Sequence, residues 1–433
     1  MPLVPQHSNA GIIRAYSPRT LRVRAILSSV FCCVVSSFGS SQTPYLLCRD
    51  GYGKFELKFT TGVTVSVGAA KTGTGELSRR VCKADLTWDK QDLQVVPEAS
   101  QVDIDALGVD LGLHLPVVAF QVKKSDADSG MAYQIYSLQK PPRLLRTITG
   151  GDSFSAADTD LDDRNEIWTS DAGAVDGFEN LTLGELDFAP TIVMRFEDRR
   201  LIDVSSEFRS HFDRQIAEVR ARLDSHELRD FRNSDGKVPT TSPLPVEQLH
   251  RLRIAKIKVL EIVWSYLYSG REQDAWNALA DMWPPADFDR IRASILNART
   301  RGIRSELDGV SPGASHFHLK HLAHIFDTVT HSHIDPDISN VTVDTKPQAI
   351  LLLLPTPLGI QEALPKSEKL VDLVIDAAGK VRSAKMVGAA DKDLISPADK
   401  DLISATAVWK FIPAFRGGRA VACRLRLAVV PLR

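Results

Sequence analysis

The stretch Lys369-Leu-Val-Asp-Leu-Val-Ile-Asp-Ala-Ala-Gly-Lys-Val-Arg-Ser-Ala-Lys-Met-Val387 is two apolar-alternating runs around a turn. Val371, Leu373 and Ile375 fall on one face of a strand, and Ala377-Ala378-Gly379 supplies the reversal before Val381. Gly379 reaches φ > 0 without steric cost, as a tight hairpin turn requires. An amphipathic run from Asp401 to Trp409 predicts a helix, followed by Phe411-Ile-Pro-Ala-Phe-Arg-Gly-Gly418 and a closing strand from Val421 to Val429. Trp409 and Phe411 read as apolar anchors where the helix ends, Pro413 as its stop, and the glycines ending at Gly418 as the turn into the last strand. An octet, Ala390 to Pro397, is nearly repeated from Ala398 to Ala405. Only one copy fits the helix, so the other lengthens the loop before it.

Hairpin, helix, Trp-x-Phe-x-Pro, glycine and closing strand together resemble the C-terminal domain of TonB, over residues 345–433. Ala420 stands where that family usually has proline. The resemblance implies a small α+β domain that binds a partner by adding the partner's strand to the open edge of its sheet. It places Val421, Arg424, Arg426 and Val429 at that edge, Leu425 and Leu427 in the core, and Gly379, Trp409, Phe411, Pro413 and Gly418 as the structural motif. The implied partner is another cell-envelope protein, with an outer-membrane receptor as the candidate.

A chain of 433 residues exceeds one typical core, so several domains are expected. The fold class expected is multidomain α+β: an N-terminal β-rich module (a sandwich or a propeller fragment) at 42–205, a helical bundle at 206–310, a His-rich linker at 311–344 and the TonB-like domain. Apolar residues make up 43% and charged residues 25%, as in ordinary globular proteins. A net charge of −1 gives no electrostatic case for nucleic acid or for an anionic membrane surface.

Arg14, Arg19, Arg22 and Arg24 precede an apolar run from Ala25 to Phe38 and then Gly39-Ser-Ser-Gln. This is the pattern of a secretory signal, expected over 1–41, and the run is short of the ~20 residues of a spanning helix. Cleavage predicts a periplasmic or secreted protein; an uncleaved segment predicts an inner-membrane anchor, and only then membrane contact. Cys48, Cys82 and Cys423 then remain. The first two lie in the same β-rich region and either pair in an oxidising compartment or stay buried and reduced. Cys423 reads as a small apolar filler.

Strands are predicted at Phe55–Phe59, Val63–Val67, Val81–Trp88, Val117–Val122 and Tyr133–Tyr136 from alternation and β-branching. Beyond them, Asp158, Asp160 and Asp162 at alternate positions, then Glu166 and the Arg164 carbonyl, form a pattern of hard oxygen donors. The stretch Phe154 to Trp168 resembles the calcium loop of FG-GAP or VCBS-type β-propeller repeats, and Ca²⁺ at 158–166 is the one cofactor it implies. Asp163 replaces the glycine of that loop's sharp turn, and the competing reading is a solvated acidic turn. The motif Asp171-Ala-Gly-Ala-Val-Asp-Gly-Phe178 continues the loop as a candidate pocket wall.

From 206 the period becomes helical. Phe208, Phe212, Ile216, Val219 and Leu223 form one stripe, running to Asp235-Gly236; Glu247 to Ser269 and Arg271 to Trp283 follow, and Pro284-Pro285 opens a last helix through Arg301. The pair at 247–283 resembles a single tetratricopeptide-type hairpin, which one copy alone cannot stack, so a small bundle is expected. His316, His318, His321, His324, His331 and His333, with Asp335 and Asp337, offer imidazole-type metal ligands, but the preferred reading is an exposed linker whose histidines bind metal only adventitiously.

The function expected is protein–protein interaction in the cell envelope by β-strand addition. One alternative is a TonB-type energy transducer, which needs a permanent anchor and a long Pro-rich spacer that residues 338–366 do not supply. The other is a metal-dependent envelope enzyme. No nucleophile elbow, zincin motif or phosphate loop is present, so no enzyme is expected.

Overall fold

The computed structural model describes residues 47–59, 61–72, 79–128, 130–238, 245–311, 326–327, 350–353, 369–387, 396–407, 409–416 and 419–429. Helices and several sheets coexist in a mixed α+β architecture. The predicted signal, the six linker histidines and Gly418 lie outside the described residues.

Strands β1 (Leu47–Arg49), β2 (Lys54–Lys58), β3 (Thr64–Thr72), β4 (Arg79–Trp88) and β5 (Gln91–Ala99) begin the chain. They are followed by β6 (Gln101–Val109), β7 (Val117–Lys123), β8 (Met131–Ser137), β9 (Leu144–Ala157), β10 (Glu166–Asp171), β11 (Thr191–Glu197), β12 (Arg200–Asp203) and β13 (Gly309–Val310). β2 to β5 form a four-stranded antiparallel meander, and the rest form a nine-stranded sheet ordered β1-β6-β7-β8-β9-β10-β11-β12-β13. Alternation decides which face is buried: Phe55 and Leu57 on β2 point inward while Lys54, Glu56 and Lys58 point out. With Val65 and Leu86 they pack on Ile104, Val118 and Phe120 of the larger sheet, which makes this end a two-layer sandwich. Cys48 on β1 and Cys82 on β4 are joined by a disulfide, which staples one layer to the other.

The helices cover the remainder of the nine-stranded sheet. Arg209–Arg222 buries Phe212, Ile216 and Val219, as the stripe predicts. The expected continuation to Asp235 is interrupted at Asp224, whose carboxylate accepts the N–H groups of His226 and Glu227 and starts a separate helix, Ser225–Arg232. Val246–Tyr268 and Glu272–Met282 form the hairpin, and Phe288–Arg299 follows. The change of period near 205 is not a break in the core: Ile135, Ile167 and Met194 of the sheet share one apolar cluster with Trp264, Leu279 and Ile295 of the helices.

Asp171 locks this junction. It is fully buried, caps the short helix Ala172–Val175 through the Ala174 N–H, and accepts the Tyr268 hydroxyl at 2.7 Å and the Ile303 N–H at 3.0 Å. A Cβ on Gly302 would run into the Asp171 carboxylate. The motif from Asp171 to Phe178, read as a pocket wall, is therefore a structural clamp.

In the C-terminal region β14 (Phe326–Asp327), β15 (Ile350–Leu353), β16 (Lys369–Ile375) and β17 (Val381–Met386) precede the helix Pro397–Thr406. β18 (Lys410–Ile412), β19 (Ala414–Arg416), β20 (Arg419–Val421) and β21 (Cys423–Val429) follow it. The principal sheet is ordered β14-β21-β16-β17, and Val371, Leu373, Ile375, Leu402, Trp409, Phe411, Leu425 and Leu427 form its core. The second octet copy fills the helix, with Ser396 as its N-cap. The helix ends at Thr406, earlier than expected, so Phe411 lies in a strand and Pro413 separates β18 from β19 instead of stopping the helix. Gly379 takes φ 80°, and its carbonyl accepts the Phe411 N–H at 2.8 Å, which ties the hairpin turn to β18.

Candidate functional site

The acidic loop closes two adjacent antiparallel strands: Ala157 ends β9, Glu166 opens β10, and the two residues face each other across the ladder. Asp158 and Glu166 are fully buried. The Asp158 carboxylate accepts the N–H groups of Asp162 (2.9 Å) and Asp163 (3.1 Å), and Glu166 Oε2 accepts that of Thr159 (2.9 Å). Asp163 has φ 67°, the left-handed conformation of the missing glycine, which aspartate tolerates better than most residues.

One carboxylate oxygen each from Asp158, Asp160 and Glu166 lies within 4.8 Å of the others. Asp162, expected in the same ligand set, is not in this group of side-chain donors. The Asp162 carboxylate accepts the Arg164 N–H at 3.0 Å and Nε at 2.8 Å, so the arginine draws it aside. Among the described residues Glu166 Oε1 has no hydrogen-bond donor, and it faces Arg195 Nη1 at 3.7 Å, while Arg195 spends its closer contacts on Glu197 (2.6 Å) and Glu207 (3.0 Å). Burial pushes the Asp158 carboxyl up to about 7 and the Glu166 carboxyl up to about 8, although the loop's N–H groups pull the other way. Three oxygen donors of this kind fit a hard divalent cation such as Ca²⁺, which would neutralise the buried charge that protons otherwise cancel.

The C-terminal hairpin docks beside this loop. The Lys380 ammonium lies 2.8 Å from Asp105, a buried residue of β6 that also accepts the Tyr133 hydroxyl (2.7 Å) and the Ala156 N–H (2.6 Å). Asp376, fully buried at the same turn, pairs with Arg382 at 2.7 Å, and its charge adds to the upward push on Asp158. Ala378 enters the apolar cluster of the sheet and helices.

At the predicted partner-binding strand the outcome is mixed. Leu425 and Leu427 are buried and Arg424 and Arg426 exposed, as alternation requires. Arg426 pairs with Asp372 on β16 at 2.7 and 2.9 Å. Val421 is not part of the closing strand: it faces Ala414 in the β19–β20 hairpin, and Ala422 separates it from β21. Val429 is the last residue of β21, opposite Lys369. The edge beyond β21 is also not wholly open, because Phe326 and Asp327 pair with Cys423 and Arg424 in parallel.

Comparison with family models, with curated proteins and with solved structures gives no match for this chain.

Sequence reasoning overlooked Asp105, Arg195, Asp376 and Lys380. Asp105 and Arg195 carried a usable signal, since each is a charge set within an apolar run, Ile104-Asp-Ala-Leu107 and Ile192-Val-Met-Arg-Phe196, although the same charges obscure the strand pattern. Lys380 carried none: a lysine after a turn glycine is ordinarily solvated, and only the docked arrangement buries its partner.

Proposed function

We propose that this chain is a protein-binding component of the cell envelope, periplasmic or secreted, that takes an extended segment of a partner as an added strand on β21. The observation that carries this reading is the parallel pairing of Phe326–Asp327 with Cys423–Arg424. It supports the view that the outer edge of β21 accepts a strand, and Leu425–Val429 continue that edge with β16 as their described neighbour. Backbone hydrogen bonds along the rungs supply affinity, and alternate side chains supply selectivity. In this reading the chain is not an enzyme, and a cation at the acidic loop has a structural role.

The test uses the full chain and fluorescein-labelled ten-residue peptides drawn from the N-terminal segments of outer-membrane receptors. Among peptides that bind by fluorescence anisotropy, N-methylation of alternate backbone amides is expected to weaken binding about tenfold per lost hydrogen bond on one register only. Equal tolerance of N-methylation in both registers means that binding does not proceed by strand addition. No binding by any peptide removes outer-membrane receptors as the partner class.

A further inference from the structure

We infer that the acceptor edge of β21 is held partly closed by the chain itself, with Phe326–Asp327 as a displaceable intramolecular occupant. This rests on the strand-addition reading and adds a regulatory element to it. β16 pairs with β21 along seven rungs, from Lys369↔Val429 to Ile375↔Cys423. On the opposite side the chain's own strand takes only two, Phe326↔Cys423 and Asp327↔Arg424. Those two rungs lie at the end of β21 where a parallel partner strand would begin.

Docking brings the occupant to that end. Ile375, the last residue of β16, faces Cys423, and the turn that follows carries Lys380 onto buried Asp105 at 2.8 Å. Ala420, in β20 ahead of β21, packs against both the sandwich cluster and the cluster of the sheet and helices. The start of β21, with Phe326 paired to it, is therefore held against the body. A tethered strand competes at an effective concentration on the order of millimolar, so a two-rung contact suffices to weaken a free partner. A longer partner strand makes more rungs and displaces it, because each net hydrogen bond shifts the equilibrium by about tenfold or less.

Amide hydrogen exchange of the full chain with Asp327→Pro tests this without any partner. Proline removes the N–H, and in a parallel ladder only one of two neighbouring residues aims its N–H at β21, so the variant at that residue loses the rung. The expected result is exchange about tenfold faster in peptides covering Cys423–Leu425, with Val371–Ile375 as protected as before. Phe326→Pro repeats the test at the neighbouring rung. Unchanged exchange at Cys423–Leu425 in both variants shows that the edge is already open and overturns the inference. Loss of protection across Val371–Ile375 as well shows that Phe326–Asp327 is an integral strand and overturns it too. Failure of receptor peptides to bind bears on the proposed function and leaves this result standing.

Discussion

Asp158 and Glu166 are carboxylates that the fold buries before it supplies enough positive charge for them. With both pKa values raised, to about 7 and about 8, the folded state binds protons more tightly than the unfolded chain does. The stability they allow is fully present below the ordinary carboxylate range, is lost as pH rises from about 4 through about 8, and is level above that. In chelated buffer the melting temperature is expected to fall between pH 5 and pH 8, and millimolar Ca²⁺ to remove most of that fall. A flat profile without the ion argues against both the buried charge and the cation. Gly379 answers a second test at this scale. Any side chain there is strained at φ 80°, and its Cβ would overlap the Phe411 carbonyl oxygen. Gly379→Ala is expected to destabilise the C-terminal region by about 2 kcal/mol or more, read as faster amide hydrogen exchange over Val371–Ile375. The need for glycine was legible in the hairpin's sequence; the approach of Phe411 was not, because it comes from a segment thirty residues away.

Elements were most legible where one face is apolar and the other solvated. β2, with Phe55 and Leu57 in and Lys54, Glu56 and Lys58 out, shows the period directly. β6 and β11 escaped because each is buried on much of both faces and carries a charge in the core, Asp105 and Arg195, which hides the alternation. The helices were found by their stripes, but the break at Asp224 depends on a cap that periodicity does not register. Two predictions belong here. Gly302→Ala drives a methyl group into the Asp171 carboxylate, which also holds Tyr268 and Ile303. It is expected to cost about 2–4 kcal/mol and to lower the protection of the helix Val246–Tyr268 in hydrogen exchange. Reduction of Cys48–Cys82, a bridge with a sequence separation of 34, is expected to cost about 2–4 kcal/mol in thermal unfolding. An unchanged melting temperature under reducing conditions would show that the sandwich does not depend on the staple.

At the scale of the whole molecule, the C-terminal sheet is pinned to the body by Lys380 on Asp105, and the first rungs of its outer edge are taken by the chain's own strand. Neither contact is local in sequence: 275 residues separate Asp105 from Lys380. Hydrophobic pattern and turn chemistry therefore foretold the parts and not how they meet. In the proposed function β21 takes a partner's strand along Leu425–Val429. The most direct measurement is amide hydrogen exchange of the full chain, with and without a saturating receptor-derived peptide, resolved over Cys423–Val429 and over β17 as the other edge of the same sheet. Strand addition on β21 predicts slower exchange over Leu425–Val429 and no change over Val381–Met386. A bound peptide that protects Val381–Met386, or neither edge, contradicts it.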